Sequence, residues 1–97
     1  MRKPTHPGAV LRDDILPELE VSKASLARAL DISRQMLYGI LNEEKSVSAE
    51  MAVKLAVYFG NEPEMWLNMQ MQCDLYKARK AIKGSVLKRI RKEGTVR

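Results

Sequence analysis

An arginine and a glutamine stand side by side in the first half of the chain, at Arg34 and Gln35. Arginine can form a bidentate pair of hydrogen bonds with guanine, and glutamine can do the same with adenine, in the major groove of DNA. An α-helix fits that groove, and the side chains at its N-terminal end reach the base edges. These two residues therefore offer the chemistry of base recognition, provided that they begin an exposed helix.

Residues 22–42 have the pattern of two short helices joined by a tight turn. Ser22 and Ser33 are each placed to cap a helix. Ala27 supplies a small residue where the two helices would cross, and Ile32 would fill the corner between them. The apolar residues at helical spacing predict an inner face of Leu26, Ala27, Leu30, Leu37, Ile40 and Leu41. The outer face of the second helix is predicted to carry Ser33, Arg34, Gln35, Tyr38, Gly39 and Asn42.

The same pattern also fits an αα-hairpin whose polar face only meets water. The capped, charge-bearing second helix and the small residue at the crossing favour a helix-turn-helix. Asp31 holds the turn position that glycine usually takes, and aspartate tolerates a left-handed backbone better than most residues. Asn42 and Lys45 follow the second helix, where its end would meet the phosphate backbone of DNA.

The composition is that of a single globular domain with an all-α fold. The chain has 97 residues, of which 45% are hydrophobic and 30% are charged. Leu, Ala, Met, Lys, Arg and Glu favour helix, and strand-like alternation is nearly absent. No stretch approaches the roughly 18 consecutive apolar residues of a membrane span, so no membrane partner is expected. The single cysteine, Cys73, suits a reducing cytoplasm and is interpreted as a small buried apolar residue.

Enzymatic chemistry is not indicated by the residues. One histidine and one cysteine provide no zinc cluster, and the sequence has neither a Ser/His/Asp arrangement nor a phosphate-cradling glycine loop. His6 is expected to begin a helix at a mobile terminus, where it would be poorly placed as a general base. We therefore expect no metal, no cofactor and no catalytic residue.

Three further helices are predicted around the central pair. The first begins at residues 6–8 and ends or bends before Pro17. The fourth begins at Ser48 and stops at Gly60, with inward residues Met51, Val53, Leu55, Ala56 and Phe59. The fifth runs from around Pro63 toward residue 82. It carries a stripe that is either core or shared between the core and a second subunit, formed by Trp66, Met69, Cys73 and Tyr76.

The positive charge is concentrated at the carboxyl end. Residues 77–97 contain nine Lys or Arg and one acid, whereas residues 1–76 carry a net charge of −3. Such a run attracts a polyanion over about a Debye length, ~8–10 Å, in a salt-sensitive way, although it is also compatible with a solvated tail. Residues 83–97 are predicted to form a basic, partly flexible tail with a hinge at residues 84–85 and a last short helix in residues 86–92.

Several segments resemble HigA-type antitoxins, the lambda-repressor-like, xenobiotic-response-element-like helix-turn-helix proteins of bacterial toxin–antitoxin modules. The resemblance covers residues 6–81 and is most specific in His6-Pro7-Gly8 and in the WLN-x-Q-x₃-DL sequence that starts at Trp66. It implies a five-helix domain, which we place over residues 1–82, whereas the basic tail lies outside the shared region and is not assigned by the resemblance. It also implies a cytoplasmic homodimer, associated with the nucleoid when DNA-bound, that represses its own operon and neutralises a RelE-like messenger-cleaving toxin.

The resemblance assigns roles by position. The expected base contacts are Ser33, Arg34, Gln35 and Tyr38, and the expected phosphate contacts are Lys23, Asn42 and Lys45. The expected dimer interface consists of Trp66, Met69, Cys73 and Tyr76. Two alternatives stay open beside the repressor and antitoxin: a stand-alone repressor without a toxin, and a protein- or RNA-binding adaptor whose best support is the basic tail.

Overall fold

The structure is a computed structural model that describes residues 2–93. Its α-helices are α1 (Pro7–Ala9), α2 (Lys23–Ala29), α3 (Arg34–Leu41), α4 (Ala49–Phe59), α5 (Pro63–Ala81) and α6 (Gly84–Glu93). α1 continues directly as a π-helical stretch, Val10–Ile15, and a 3-10 turn, Leu16–Glu18. Residues 2–93 contain no strand, which confirms the all-α prediction. Within residues 2–93 the α-helices number six rather than five, because the short helix predicted in the tail also forms, as α6. The tail's residues 94–97 lie outside the described residues.

The first helical segment is fixed at both ends by residue chemistry. His6 caps it, because its Nδ1 accepts a hydrogen bond of 2.9 Å from the backbone N–H of Gly8. His6 is only 4% exposed, so this residue is buried in the fold and does not lie at an exposed terminus. Pro17 has no N–H to continue the helix, and the chain tightens there into the 3-10 turn before it becomes extended at Leu19.

Gly8 brings the backbone of α1 directly against that of α3. A Cβ built on Gly8 would lie 1.7 Å from the carbonyl oxygen of Ile40, which is far shorter than a van der Waals contact. Pro7 is buried beside it and supplies a preset φ at the first helical position. The His6-Pro7-Gly8 sequence therefore has a structural role, since it lets α1 pack closely behind α3.

Serine hydroxyl groups cap the three helices that follow, as predicted. Ser22, Ser33 and Ser48 each accept a hydrogen bond from the backbone N–H three residues later, at 3.1, 3.0 and 3.1 Å respectively. Asp31 adopts the predicted left-handed backbone, with a φ of 55°. Its carbonyl oxygen accepts a hydrogen bond of 3.1 Å from Lys54 Nζ, which links the helix-turn-helix corner to α4.

The core lies between the helix-turn-helix and the α4–α5 pair. Its fully buried large side chains include Leu11, Leu26, Leu37, Ile40, Leu55 and Trp66. Burying each such side chain contributes about 1.5–3 kcal/mol of hydrophobic stabilisation. Val53 was predicted to point inward but is 52% exposed. The reason is the helical phase: at about 100° per residue, Val53 lies nearly opposite the buried Leu55.

Side-chain amides join α5 to the two segments before it. Gln70 is buried, and its Oε1 accepts a hydrogen bond of 2.9 Å from the backbone N–H of Val47 in the α3–α4 loop. The Nε2 of Gln70 donates to Asp74 Oδ1 at 2.9 Å. Trp66 Nε1 donates to Asn61 Oδ1 at 2.9 Å, just after α4 ends at the left-handed Gly60. The WLN-x-Q-x₃-DL sequence thus fixes the loop that follows α3.

We predict that Gly8→Ala destabilises the fold, because the added methyl group would meet the carbonyl oxygen of Ile40 at 1.7 Å. Overpacking of this kind costs about 1–3 kcal/mol or more in the free energy of unfolding. The matched control is Gly84→Ala at the start of α6, where no atom lies within 4 Å of the added Cβ. Urea denaturation should show a lower midpoint for the first variant and an unchanged or higher midpoint for the second. Equal midpoints for both would contradict the backbone contact.

Candidate nucleic-acid interface

The N-terminal half of α3 presents a polar face to solvent. Arg34 and Gln35 are exposed in its first turn, and Tyr38 follows one turn later with 42% of its surface exposed. The opposite face of α3 is buried through Leu37, Ile40 and Leu41. The condition for base recognition is met, because the arginine and the glutamine begin an exposed helix whose back is held by the core.

Ser33 fixes where this helix begins. Its hydroxyl oxygen accepts the N–H of Met36 at 3.0 Å, and its backbone is extended, with φ −72° and ψ 156°. The hydroxyl hydrogen can still be donated outward. Ser33 therefore orients the first turn of α3 and leaves one hydrogen-bond donor at the surface.

Lys23, in the first turn of α2, reaches the exposed face of α3. Its Nζ lies 5.7 Å from the centroid of the Tyr38 ring, within the range of a cation–π contact. Both side chains are exposed. The ammonium group of Lys23 therefore lies at one edge of the α3 face.

Lys45 covers the other end of the helix by packing on Gly39. A Cβ on Gly39 would lie 2.7 Å from Cδ and Cγ of Lys45, so the aliphatic part of the lysine occupies the place of a side chain. The backbone N–H groups of Glu44 and Lys45 both donate to the Gly39 carbonyl, at 2.8 and 2.9 Å. Gly39 is buried, so its prediction as an outward residue is wrong: the loop folds back over it.

Arg12 is a residue of this region that sequence reasoning missed. Its Nη1 donates to the carbonyl oxygen of Leu41 at 2.8 Å and to Glu43 Oε2 at 3.2 Å, and so satisfies a carbonyl of the last turn of α3. Hydrogen bonds from Arg12 to Asp13 lower the pKa of that carboxyl group, and the two acidic partners raise the pKa of Arg12. Glu43 has a left-handed φ of 62°, which the sequence also did not reveal. No local pattern connects positions so distant in the chain.

The four residues assigned to a dimer interface occupy different environments. Trp66 is 0% exposed and Cys73 is 5% exposed, both buried within their own chain. Met69 is partly buried against the core, and Tyr76 is half-buried. The side chains of Trp66 and Cys73 therefore offer almost no surface to a second subunit.

Cys73 behaves as the small buried residue that its setting suggests. Its Sγ donates to the carbonyl oxygen of Pro4 at 3.7 Å, and burial raises the pKa of the thiol. Within residues 2–93, no three His, Cys, Asp or Glu side chains lie close enough together to hold a metal ion. None of the helices in that range combines the length and apolar character needed to cross a membrane.

The structure thus brings the predicted DNA-contacting residues together on and beside α3, whereas the predicted dimer residues lie apart from them. Arg34, Gln35 and Tyr38 share a face whose edges are marked by Lys23 and Lys45. Asn42 is exposed at the C-terminal end of α3. Such a face can donate bidentate hydrogen bonds to base edges from its centre and cationic hydrogen bonds to phosphates from its rim. The predicted residues of α5 lie elsewhere in the fold.

Comparison with known proteins defines first a class and then a group within it. The helix-turn-helix family matches residues 11–67. An HTH-type transcriptional regulator of Haemophilus influenzae is 41% identical over 75 residues, 77% of this chain and 70% of its own length. Antitoxin HigA-1 of Vibrio cholerae is 33% identical over 78 residues, 80% of this chain and 73% of its own length. The chain belongs to the helix-turn-helix family, in the group of HigA-type antitoxins.

Solved structures with the same fold have been determined with DNA. The Pseudomonas aeruginosa antitoxin HigA with the higBA promoter has a TM-score of 0.76 and 41% identity, covering 80% of this chain and 85% of that one. The antitoxin GraA in complex with its operator has a TM-score of 0.80 and 37% identity, covering 100% of this chain and 91% of that one. The match to virulence-associated protein I of Dichelobacter nodosus spans 65% of that protein's length.

We predict that His6 makes the stability depend on pH between about 7.5 and 5.5. Desolvation, the largest effect, lowers the pKa of His6, while Glu43 raises it and Lys77 lowers it. In the unfolded chain the imidazole titrates near its ordinary pKa of about 6.5, so below that pH the unfolded state binds more protons and stability falls. Above that range the effect is absent.

His6→Asn provides the comparison, since an asparagine oxygen can still cap α1 but does not titrate. Urea midpoints measured at pH 7.5 and 5.5 should fall more for the natural chain than for the variant. The same fall in both proteins would show that His6 is protonated equally easily in the folded and unfolded chains.

Proposed function

We propose that the protein is a sequence-specific DNA-binding repressor that acts as the antitoxin of a toxin–antitoxin module. It represses its own operon and neutralises a RelE-like ribonuclease toxin. The observation that carries the proposal is the exposed first half of α3, with Arg34 and Gln35 at its start and Lys23 and Lys45 at its edges. The relatives solved with a promoter and with an operator support DNA binding by a chain of this fold.

In the proposed complex α3 lies in the major groove of the operator. Arg34 donates to a guanine and Gln35 pairs with an adenine, while Ser33 and Tyr38 complete the contacts to bases. The cationic edges contact phosphates and fix the register of the helix, together with Asn42 at its end. A two-fold homodimer would then read inverted half-sites about one helical turn, ~34–36 Å, apart.

The surface we favour for the homodimer is the outer face of α5, opposite the buried Trp66 and Cys73. An apolar groove along this face is lined by Val47, Leu67, Met71, Leu75 and Ala78 among others. Met71 is 48% exposed and Leu75 is 38% exposed. Leu67, Met71, Leu75 and Ala78 follow one another at intervals of three or four residues and form a continuous stripe along α5. An apolar stripe of this kind can pack against the same stripe of a second subunit around a two-fold axis.

The antitoxin role is supported by the relatives named HigA-1 and GraA. The neighbouring gene separates it from the stand-alone repressor: a small, basic, ribonuclease-like reading frame is expected beside this one. As an operator reader the protein would work on the nucleoid in the cytoplasm. The adaptor alternative requires that removal of residues 83–97 abolish nucleic-acid binding, whereas operator reading by α3 requires that sequence preference survive it.

Operator reading predicts different effects for a base contact and a phosphate contact. Arg34→Ala should lose about 1–3 kcal/mol of binding free energy and relax specificity at one base pair. Lys45→Ala should weaken binding to every sequence alike and reduce the salt slope by about 1. The measurement is a fluorescence-anisotropy titration of the protein's own promoter and of a scrambled duplex at two salt concentrations.

The reference for these variants is Arg79→Ala, which removes an exposed arginine in the last turn of α5 and should preserve the promoter preference. The natural chain should prefer the promoter by about 10³-fold or more. If it bound both duplexes equally, or if Arg34→Ala weakened both by the same factor, base reading by α3 would be disproved.

The α5 surface predicts that Leu75→Glu dissociates the dimer. A carboxylate placed in the apolar stripe would be desolvated without a partner, and the dimer dissociation constant should rise by at least about 100-fold. The matched control is Val57→Glu on α4, which introduces the same charge at an 80% exposed position. Sedimentation-velocity measurements over a range of concentrations give both constants. A dimer that survives Leu75→Glu but not Val57→Glu would move the interface to α4.

A further inference from the structure

A second basic surface lies apart from the α3 face, where the N-terminal segment meets the last turns of α5. It is an open groove of about 460 Å³ lined by Lys3, Tyr76, Lys77, Lys80 and Ala81. Three of these five residues carry an ammonium group, and they come from segments far apart in the sequence. The fold therefore assembles a cluster of positive charge that the sequence alone does not show.

The three lysines of this groove are not neutralised within the described part of the chain. None of them takes part in an ion pair there. Lys80 Nζ lies 5.4 Å from the centroid of the Tyr76 ring, which holds the ammonium group over the groove without cancelling its charge. The lining residues include no carboxylate. The groove thus presents a local positive field to solvent.

Two acidic residues of the surrounding fold already have partners. Glu43 shares an adjoining cavity with Lys3 and Lys77, but its carboxylate accepts a hydrogen bond from Arg12. Asp74 accepts one from the amide of the buried Gln70. Both carboxylates weaken the positive field of the groove, but neither is among the residues that line it.

The cavity that adjoins the groove reaches the end of α3. Glu43 follows directly after Asn42, the C-cap of α3, and lines the same cavity as Lys77. From Lys77 onward the sequence carries eight Lys or Arg and no acid as far as Lys92, and every residue of that stretch except Val86 is exposed. A basic path therefore leads away from the point where α3 would leave the major groove.

We propose that the groove of Lys3, Lys77 and Lys80 binds backbone phosphates of the duplex that flanks the operator half-site, independently of base sequence. The proposal rests on the proposed function, because operator reading by α3 is what places a duplex beside the groove. Lysine acts on phosphate as a point charge, and each phosphate neutralised releases counterions and contributes about 0.9 to the salt slope of binding. A second copy of the chain is the other class of partner that the experiment must separate.

The experiment compares two double variants of the full chain that remove the same charge from the same region. Lys77→Gln/Lys80→Gln removes two of the three ammonium groups of the groove. Arg79→Gln/Lys83→Gln removes two neighbouring charges that do not line it. Binding to the promoter and to a scrambled duplex is measured by fluorescence anisotropy at salt concentrations from about 50 to 200 mM. Thermal melting followed by circular dichroism verifies that both variants are folded.

In the groove variant the salt slope of binding should be smaller by about 2. Raising the salt concentration across this range should therefore weaken its binding by a factor about ten-fold smaller than for the natural chain. The loss should be the same for both duplexes, and the promoter preference should remain. The matched variant should keep the natural slope. Equal losses in both variants would assign the effect to a diffuse basic segment and overturn the groove.

An unchanged slope in the groove variant, accompanied by weaker self-association in sedimentation, would overturn the proposal in favour of a second copy of the chain. Arg34→Ala tests the proposed function separately, because it should lower the promoter preference in a chain whose groove is intact. If the natural chain shows no preference at all, the scrambled duplex still decides whether the groove binds phosphate. The two failures are therefore distinguishable.

Discussion

The backbone of α1 lies against the backbone of α3, and the rest of the site depends on that contact. Gly8 leaves room for the carbonyl oxygen of Ile40 where any side chain would collide with it. His6 caps the turn that makes the approach, and Arg12, from the same segment, satisfies the carbonyl of Leu41. The last turn of α3 is thus held from behind, while its first turn is left free to face a ligand.

The α3–α4 loop is likewise held in place by a few side-chain contacts. Gln70 reaches from α5 to the backbone of Val47, and Lys45 lies across Gly39. Buried amide hydrogen bonds of this kind are costly to leave unmade, so they favour one loop conformation over others. The residues that mark the family most specifically, His6-Pro7-Gly8 and the sequence from Trp66, act in this framework and do not lie on the face that would touch DNA.

Much of the local structure could be predicted from the sequence because its signals are local. The serine caps, the left-handed Asp31 and Gly60 and the break at Pro17 each depend on neighbours within a few residues. The exposed face of α3 followed from helical spacing for the same reason. Which elements pack together could not be predicted in this way.

What the sequence left undecided depends largely on packing between elements. An apolar stripe on α5 does not say whether it meets its own core or a second chain. Trp66 and Cys73 are buried on this helix, which packs against α4 and α1. Gly39 has no side chain, so the pattern of polar and apolar residues does not indicate that Lys45 covers it. Arg12 bonds to a carbonyl 29 positions away, and a contact at that separation leaves no trace in a single sequence.

The side chains of Arg34 and Gln35, at the start of α3, have no structural role, and this has an evolutionary consequence. Among the described residues, no hydrogen bond or ion pair uses the side chain of Arg34 or Gln35, so both can be exchanged without disturbing the helix beneath them. A duplicated gene can therefore drift to a new operator in a few substitutions while its product stays folded. Two such modules in one genome can become insulated from each other's regulation, whereas a side chain added at Gly39 would collide with the aliphatic part of Lys45.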